Sequence, residues 1–220
     1  MENGIDPTSV TLALLSGGSS SRMGQDKALM AFLGRPLILR VVERLRPLAQ
    51  EVLLSTNRPE EYASLGLTAL PDLVAGRGPL GGLYTVLQAA HFPIVAAAAC
   101  DMPFASPGLF AYECELLVKS ETDAVVPVTP EGLEPLHAVY RRATCLPVVR
   151  EALEAGKLKL SGWLEKVETE LVPPEVTAQF DPSGLAFWNL NTREEFRRAE
   201  AKAKLEWDTD ERGYSRKGIT

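Results

Sequence analysis

Val10-Thr11-Leu12-Ala13-Leu14-Leu15, closed by Ser16-Gly17-Gly18, is the stretch on which the reading of the chain turns. The run is nearly all apolar, too short for a buried helix, and stopped by glycines. It therefore reads as a central parallel strand covered on both faces. A second run, Ile94-Val95-Ala96-Ala97-Ala98-Ala99, is the most apolar in the chain and delivers Cys100-Asp101. Shorter strands are expected at 51–55, 68–70 and 123–127. Gly34-Arg35-Pro36 is expected to open a helix with Leu37, Val41, Val42 and Leu45 on one face, ending near Pro47. Further helices are expected at 80–90 and 107–119. A strand-loop-helix order of this kind predicts an α/β fold with a mostly parallel sheet between two helical layers. Ligands of such sheets bind beyond the carboxyl ends of the strands. The unusual loops of this chain all fall at those ends.

The second half is less regular. It carries an expected strand at 137–140, a helix at 144–155 closed by Gly156, a short helix at Trp163-Leu164 and a strand near 170–172. Residues 187–191 look strand-like, and Thr192-Arg193-Glu194-Glu195 is a capping box opening a helix to about Trp207. The expected organisation is an extension at 1–9, one domain at 10–207 and a polar, flexible tail at 208–220. The 220 residues allow one large domain or two small ones, and no linker divides them. With 45% hydrophobic and 24% charged residues, wholesale disorder and low complexity are excluded. Lys and Arg number 23 against 29 Asp and Glu, a net −6 that argues against a nucleic-acid polymer as partner. Cys100, Cys114 and Cys145 form neither a disulfide framework nor a CxxC site, so reduced thiols in a cytoplasmic protein are expected. Two histidines make a His-rich metal site a poor fit. No apolar run reaches the roughly 18 residues of a membrane span, and no signal peptide is evident.

Three loops carry the chemistry. In Ser16 to Lys27 the glycines permit close backbone approach and an anion nest, serines add donors, and Arg22 and Lys27 add positive charge. That combination suits a triphosphate, although the spacing is neither GxxxxGK[ST] nor GxGxxG. Without a ligand it would be a flexible Gly/Ser connection. In Pro71 to Gly82, Asp72 stands at a strand end, and Gly76, Gly78, Gly81 and Gly82 let backbone run beside a flat base. The alternative is a plain helix entry. In Ala99-Cys100-Asp101-Met102-Pro103-Phe104, Asp101 is placed to hold Mg²⁺, which takes one or two protein carboxylates, or else to cap the next helix. His137 could touch a phosphate or second substrate, but a hydrogen-bonded structural role is favoured. Asn189 and Asn191 could bind phosphate or a metal-bound water, or Asn191 could merely adjoin the cap at Thr192.

Together these segments resemble the molybdenum cofactor guanylyltransferases, within the wider family of nucleotidyltransferases. The resemblance runs from about Leu12 to Leu205. Its signature is Leu15-Ser16-Gly17-Gly18 followed by Arg22-Met23-Gly24-Gln25-Asp26-Lys27. It continues in Pro71-Asp72, in Gly78-Pro79-Leu80-Gly81-Gly82-Leu83, in Cys100 to Phe104, in Pro135 to Tyr140 and in Asn189 to Thr192. The resemblance implies a single Rossmann-like three-layer α/β/α domain of the nucleotide-diphospho-sugar transferase type. It makes Leu15, Ser16, Gly17, Gly18, Lys27, Ser55, Asp72, Gly78 and Asp101 nucleotide-binding positions. Ser16 and Ser55 depart from the residues common in relatives, Ala and Asn.

The implied reaction is transfer of GMP from GTP to the phosphate of molybdopterin or molybdenum cofactor, releasing pyrophosphate. Asp101 would hold Mg²⁺, while Arg22 and Lys27 would offset charge on the leaving group. Partner proteins that deliver molybdopterin or receive the product are an open expectation. The rival within the class is a cytidylyltransferase, whose first loop typically reads Ala-Ala-Gly. The rival outside it is a nucleotide-binding module without turnover, which retention of Arg22, Lys27, Asp72 and Asp101 disfavours.

Overall fold

The computed structural model describes residues 8–16 and 26–214, without the side chains of 206 and 208–214. The expectations for Gly17, Gly18, Arg22, most of the N-terminal extension and residues 215–220 lie outside the described residues. In chain order the elements are β1 (Val10–Ser16), β2 (Ala31–Phe32), β3 (Arg35–Pro36), α1 (Leu37–Leu45), β4 (Glu51–Thr56), β5 (Thr68–Leu70) and α2 (Gly78–Ala89). Then come β6 (Ile94–Ala99), α3 (Pro107–Ser120), β7 (Ala124–Thr129), β8 (Gly132–Leu133), β9 (His137–Arg141) and α4 (Arg142–Glu154). The last are β10 (Thr169–Val172), α5 (Pro174–Phe180) and α6 (Arg193–Tyr214). No described helix is long and apolar enough to cross a membrane.

The main sheet runs β10-β7-β9-β6-β1-β4-β5, with β8 paired to β7. β1 is parallel to both neighbours, and Leu15 stands level with Ser55 of β4 and Ala99 of β6. β9 alone inverts the path, running antiparallel to β6 and β7. The carboxyl ends of β1, β4, β6 and β7 consequently share one edge. The alternation of side chains along a strand explains the layers. Val10, Leu12 and Leu14 join Ile38, Val41 and Leu45 of α1 and Leu109 and Phe110 of α3 in one core. Ala13 and Leu15 point the other way, into a core with Leu80, Leu83 and Val86 of α2 and Val149 and Leu153 of α4. β1 is buried on both faces, as its unbroken apolar run predicts.

Four expectations change. Gly34-Arg35-Pro36 does not open a helix: β2 and β3 form a hairpin there, and α1 begins at Leu37. The turn puts both Leu33 (φ 47°) and Gly34 (φ 77°) in the left-handed region that tight hairpins demand. Leu33 is held there by its N–H donating to Glu200 Oε1 at 2.8 Å and its carbonyl accepting from Arg40 at 2.8 Å. Residues 187–191 are not a strand; Leu190 N–H donates to the Asp101 carbonyl at 3.0 Å, and Trp188 stacks on Phe104. That segment crosses the sheet edge instead of joining the sheet. The helix of Trp163-Leu164 is reduced to one 3-10 turn over Leu164–Lys166. Finally, α6 continues to Tyr214, so part of the expected tail is helical.

A third core joins the hairpin to α6 through Phe32, Leu37, Phe104, Leu190 and Phe196. Phe32 is fully buried, with its ring edge-on to Phe196 at 5.6 Å and to Trp207 at 5.9 Å. Phe32→Ala is expected to lower stability by about 3–5 kcal/mol through lost burial and a cavity. Urea unfolding measures it, and an unchanged midpoint would show that α6 does not depend on this ring.

Candidate nucleotide site

The two central strands end where the polar residues gather. Backbone N–H of Cys100 donates to the Leu15 carbonyl at 3.3 Å, so the loops after β1 and β6 leave the sheet side by side. A cavity of about 300 Å³ opens there, lined by Leu15, Ser16, Lys27, Asp101, Asn189 and Asn191 among others. Lys27 Nζ donates to Asp101 Oδ2 at 2.7 Å and to Asn191 Oδ1 at 2.9 Å. The Lys27 and Asp101 side chains are each 19% exposed, so the pair is neither sealed from ligand nor free in water. Asn191 is fixed in turn by the expected capping box. Glu195 Oε2 accepts the N–H groups of Asn191 and Thr192, both at 2.7 Å, and Thr192 Oγ1 accepts the N–H of Glu195.

The structure brings in partners that the sequence reading passed over. Asp26 caps the 3-10 turn that carries Lys27, accepting the Ala28 N–H at 3.0 Å. Its other oxygen accepts from Tyr62 Oη at 2.7 Å and Arg58 at 3.3 Å. Tyr62 Oη also lies 3.0 Å from Ser16 Oγ, bridging the two flanks of the loop after β1. Burial, and after it the neighbouring Asp26, keeps the Tyr62 phenol protonated by pushing its pKa up. Asp26 stood inside the quoted signature next to Lys27, which was the available signal. Tyr62 had none, since its contact spans distant sequence.

Ser55 and Asp72 do not line this cavity. The Ser55 hydroxyl donates to Asp72 Oδ1, and Ser55 is 1% exposed. Half burial raises the Asp72 carboxyl, and the Ser55 hydrogen bond works against it. Gly82 lets α2 close over this pair: a Cβ there would stand 3.2 Å from Leu15 Cδ2 and 3.3 Å from Ser55 Oγ. Gly78 opens α2 at φ 56°, a left-handed conformation, with the cavity-lining Pro79 beside it.

His137 sits in the core, away from the cavity, in the structural role favoured from sequence. Its Nε2 accepts the Ser106 N–H at 3.2 Å, which leaves the ring hydrogen on Nδ1, 3.1 Å from Glu113 Oε1. Phe110 stacks on the ring at 3.9 Å. Both members of the His137–Glu113 pair are completely buried. Burial pushes His137 down to about 3 and Glu113 well above the carboxylate range, so the contact is a neutral hydrogen bond and not an ion pair.

An α/β sheet whose carboxyl edge brings a lysine and an aspartate together in a cavity suits a nucleotide-handling protein. The family model of the MobA-like NTP transferase domain matches residues 12–170, and the chain belongs to that family. It is 37% identical over 195 residues to a probable molybdenum cofactor guanylyltransferase of Pelotomaculum thermopropionicum, covering 88% of this chain and 93% of the relative. It is 32% identical to the molybdenum cofactor guanylyltransferase of Desulfosudis oleivorans, covering 89% and 96% respectively. Among solved structures, molybdopterin-guanine dinucleotide biosynthesis protein A of Archaeoglobus fulgidus superposes with a TM-score of 0.76 at 27% identity. That match covers 88% of this chain and 98% of the other. The fold, a Rossmann-like three-layer α/β/α sheet, is the one expected.

The buried pair sets a pH dependence of stability. Glu113, raised above its unfolded 4.5, contributes stability that is full below pH 4.5 and lost as pH rises through its folded pKa. His137, lowered from 6.5 to about 3, contributes stability that is full above pH 6.5 and lost as pH falls toward 3. Glu113→Gln should remove the alkaline loss and keep the acid loss. Its Tm relative to the parent should therefore rise as pH increases above 4.5; a Tm difference independent of pH would refute the neutral pair.

Proposed function

We propose that the protein transfers GMP from GTP to the phosphate of molybdopterin, with pyrophosphate leaving. The observation that carries this reading is the convergence of Lys27, Asp101 and Asn191 in one cavity at the carboxyl edge of the sheet. The names of near-full-length relatives support it. An oxygen of the acceptor phosphate attacks the α-phosphorus of GTP, forming one P–O bond. The bond from the α-phosphorus to the α–β bridging oxygen breaks, and its electron pair departs with pyrophosphate.

The chain's own part is positioning and charge. Lys27, steered by Asn191, presents an ammonium to the triphosphate, and Arg22 is assigned the same task from sequence. Ser16 and the backbone beyond Leu15 border the phosphates, with Gly17 and Gly18 completing that loop by resemblance. Gly78 and Pro79 border the base, and Ser55 acts through Asp72. Asp101 suits a divalent cation. Lys27 takes its Oδ2, while Oδ1 has no hydrogen-bond partner among the described residues. Among those residues no cluster of three or more His, Cys, Asp or Glu offers an all-protein cage. Mg²⁺ fits such a one-carboxylate site because waters and phosphate oxygens supply its remaining ligands. When bound it would neutralise charge on the phosphates. Cys100, Cys114 and Cys145 are free thiols, in keeping with a cytoplasmic enzyme.

Asp101→Ala is expected to reduce pyrophosphate release from GTP, Mg²⁺ and molybdopterin to background. Substantial residual turnover would remove Asp101 from the metal role. Lys27→Ala should weaken GTP binding about tenfold, the scale of a lost charge-assisted hydrogen bond, in a calorimetric titration. GTP should raise Tm more than CTP at equal concentration; the reverse order would favour cytidylyl transfer.

A further inference from the structure

A second cavity, of about 570 Å³, adjoins the first along the same sheet edge. It lies between the β7–β8 hairpin, α5 and the segment that leads into α6. Adjacent residues divide between the two spaces. Leu136 and Asn189 line the first, whereas Glu134 and Trp188 line the second. The two spaces therefore share a dividing wall. Resting on the function proposed above, we propose that the second cavity seats the 2-amino-4-oxopteridine ring of the acceptor, with the Glu134 carboxylate accepting its amino and ring N–H groups.

The walls suit a flat heterocycle. Pro130, Pro174 and Phe187 supply apolar surface, and Trp188 is immobilised between Phe104, stacked at 5.9 Å and 11°, and the Arg198 guanidinium at 5.8 Å. The volume falls in the range of small-molecule sites, which combine such walls with a few placed polar groups. One polar group stands ready here. Glu134 is partly buried; its Oε1 accepts from Thr129 Oγ1 at 3.1 Å, and its Oε2 has no hydrogen-bond partner among the described residues. A partly buried carboxylate oxygen without a partner is one that ligand N–H groups can satisfy.

Other carboxylates at the cavity are less suited. Both oxygens of Asp181 are occupied, Oδ1 by Leu185 N–H and Ser183 Oγ and Oδ2 by Ala186 N–H. Glu131 is exposed to solvent. Glu134 remains as the acceptor for two donors pointing the same way, the arrangement on the pyrimidinone edge of a pterin. Guanine presents a similar edge, so the test must separate the two.

The experiment uses the full chain as parent, Glu134→Gln and Ala178→Trp. Ala178 is exposed on α5 and lines the cavity, so the tryptophan blocks the space with little risk to folding. Turnover with GTP, Mg²⁺ and molybdopterin is combined with separate calorimetric titrations of 6-hydroxymethylpterin and GTP. Both variants are expected to raise KM for molybdopterin about tenfold or more and to weaken 6-hydroxymethylpterin binding as much. Near-parental kcat and unchanged GTP affinity should accompany that loss, the pattern of a lost binding contact. An active parent whose variants keep parental KM would place the ring elsewhere and overturn the proposal, leaving GMP transfer intact. Variants that weaken GTP in place of the pterin would assign the cavity to guanine and also overturn it. A parent that binds 6-hydroxymethylpterin through Glu134 but does not turn over molybdopterin would support the cavity and refute the transfer reaction. A parent that does neither would refute both.

Discussion

One ammonium group, Lys27 Nζ, joins three segments that are distant in sequence: the end of the loop after β1, the tip of β6 at Asp101 and the entry to α6 at Asn191. A partly exposed ion pair of this kind contributes on the order of 0–1 kcal/mol to stability, so its importance lies in position. It holds a cation and a carboxylate side by side at the sheet edge, at the mouth of a cavity. The surrounding structure serves that placement. Asp26 caps the turn bearing Lys27, Tyr62 ties Asp26 to Ser16, and Glu195 fixes the backbone of Asn191.

The sheet beneath makes the placement rigid. β1 and β6 run in register with Leu15 level with Ala99, so Ser16 and Cys100 leave the sheet together. Alanines through β6 keep the strand thin where helices press on both faces, and Gly82 allows α2 to approach Leu15 and Ser55 where a larger residue would crowd them. Close packing of this sort transmits small volume changes, which is why the site geometry depends on residues that touch no ligand.

Polar groups in the interior divide by environment. His137 and Glu113 are buried completely and remain neutral, anchoring the Ser106 start of α3 behind the Asp101 loop. Lys27 and Asp101, at the rim, keep some contact with solvent. The same residue types thus serve structure in one place and suit charge chemistry in another, and depth in the fold separates the two. The adjoining cavity at Glu134 lies between these extremes: its carboxyl is raised first by burial, lowered by Thr129 and raised again by Glu131.

Local pattern alone determined much of this protein. Unbroken apolar runs ending in glycine or aspartate identify β1 and β6, because a strand buried on both faces can expose polar groups only at its ends. The placement of Lys27 and Asp101 at one edge followed from parallel topology, and the Thr192 capping box was legible because its hydrogen bonds span only three or four residues. Tertiary structure decided what depends on distant partners. It turned Gly34-Arg35-Pro36 into a hairpin through Glu200 and Arg40, laid residues 187–191 across the sheet edge by stacking Trp188 on Phe104, and buried His137 beside Glu113. Pairing Lys27 with Asp101, and bridging Ser16 to Asp26 through Tyr62, likewise required the packed fold. Periodicity along a chain reports which face is buried; which partner meets it is settled only when the faces come together.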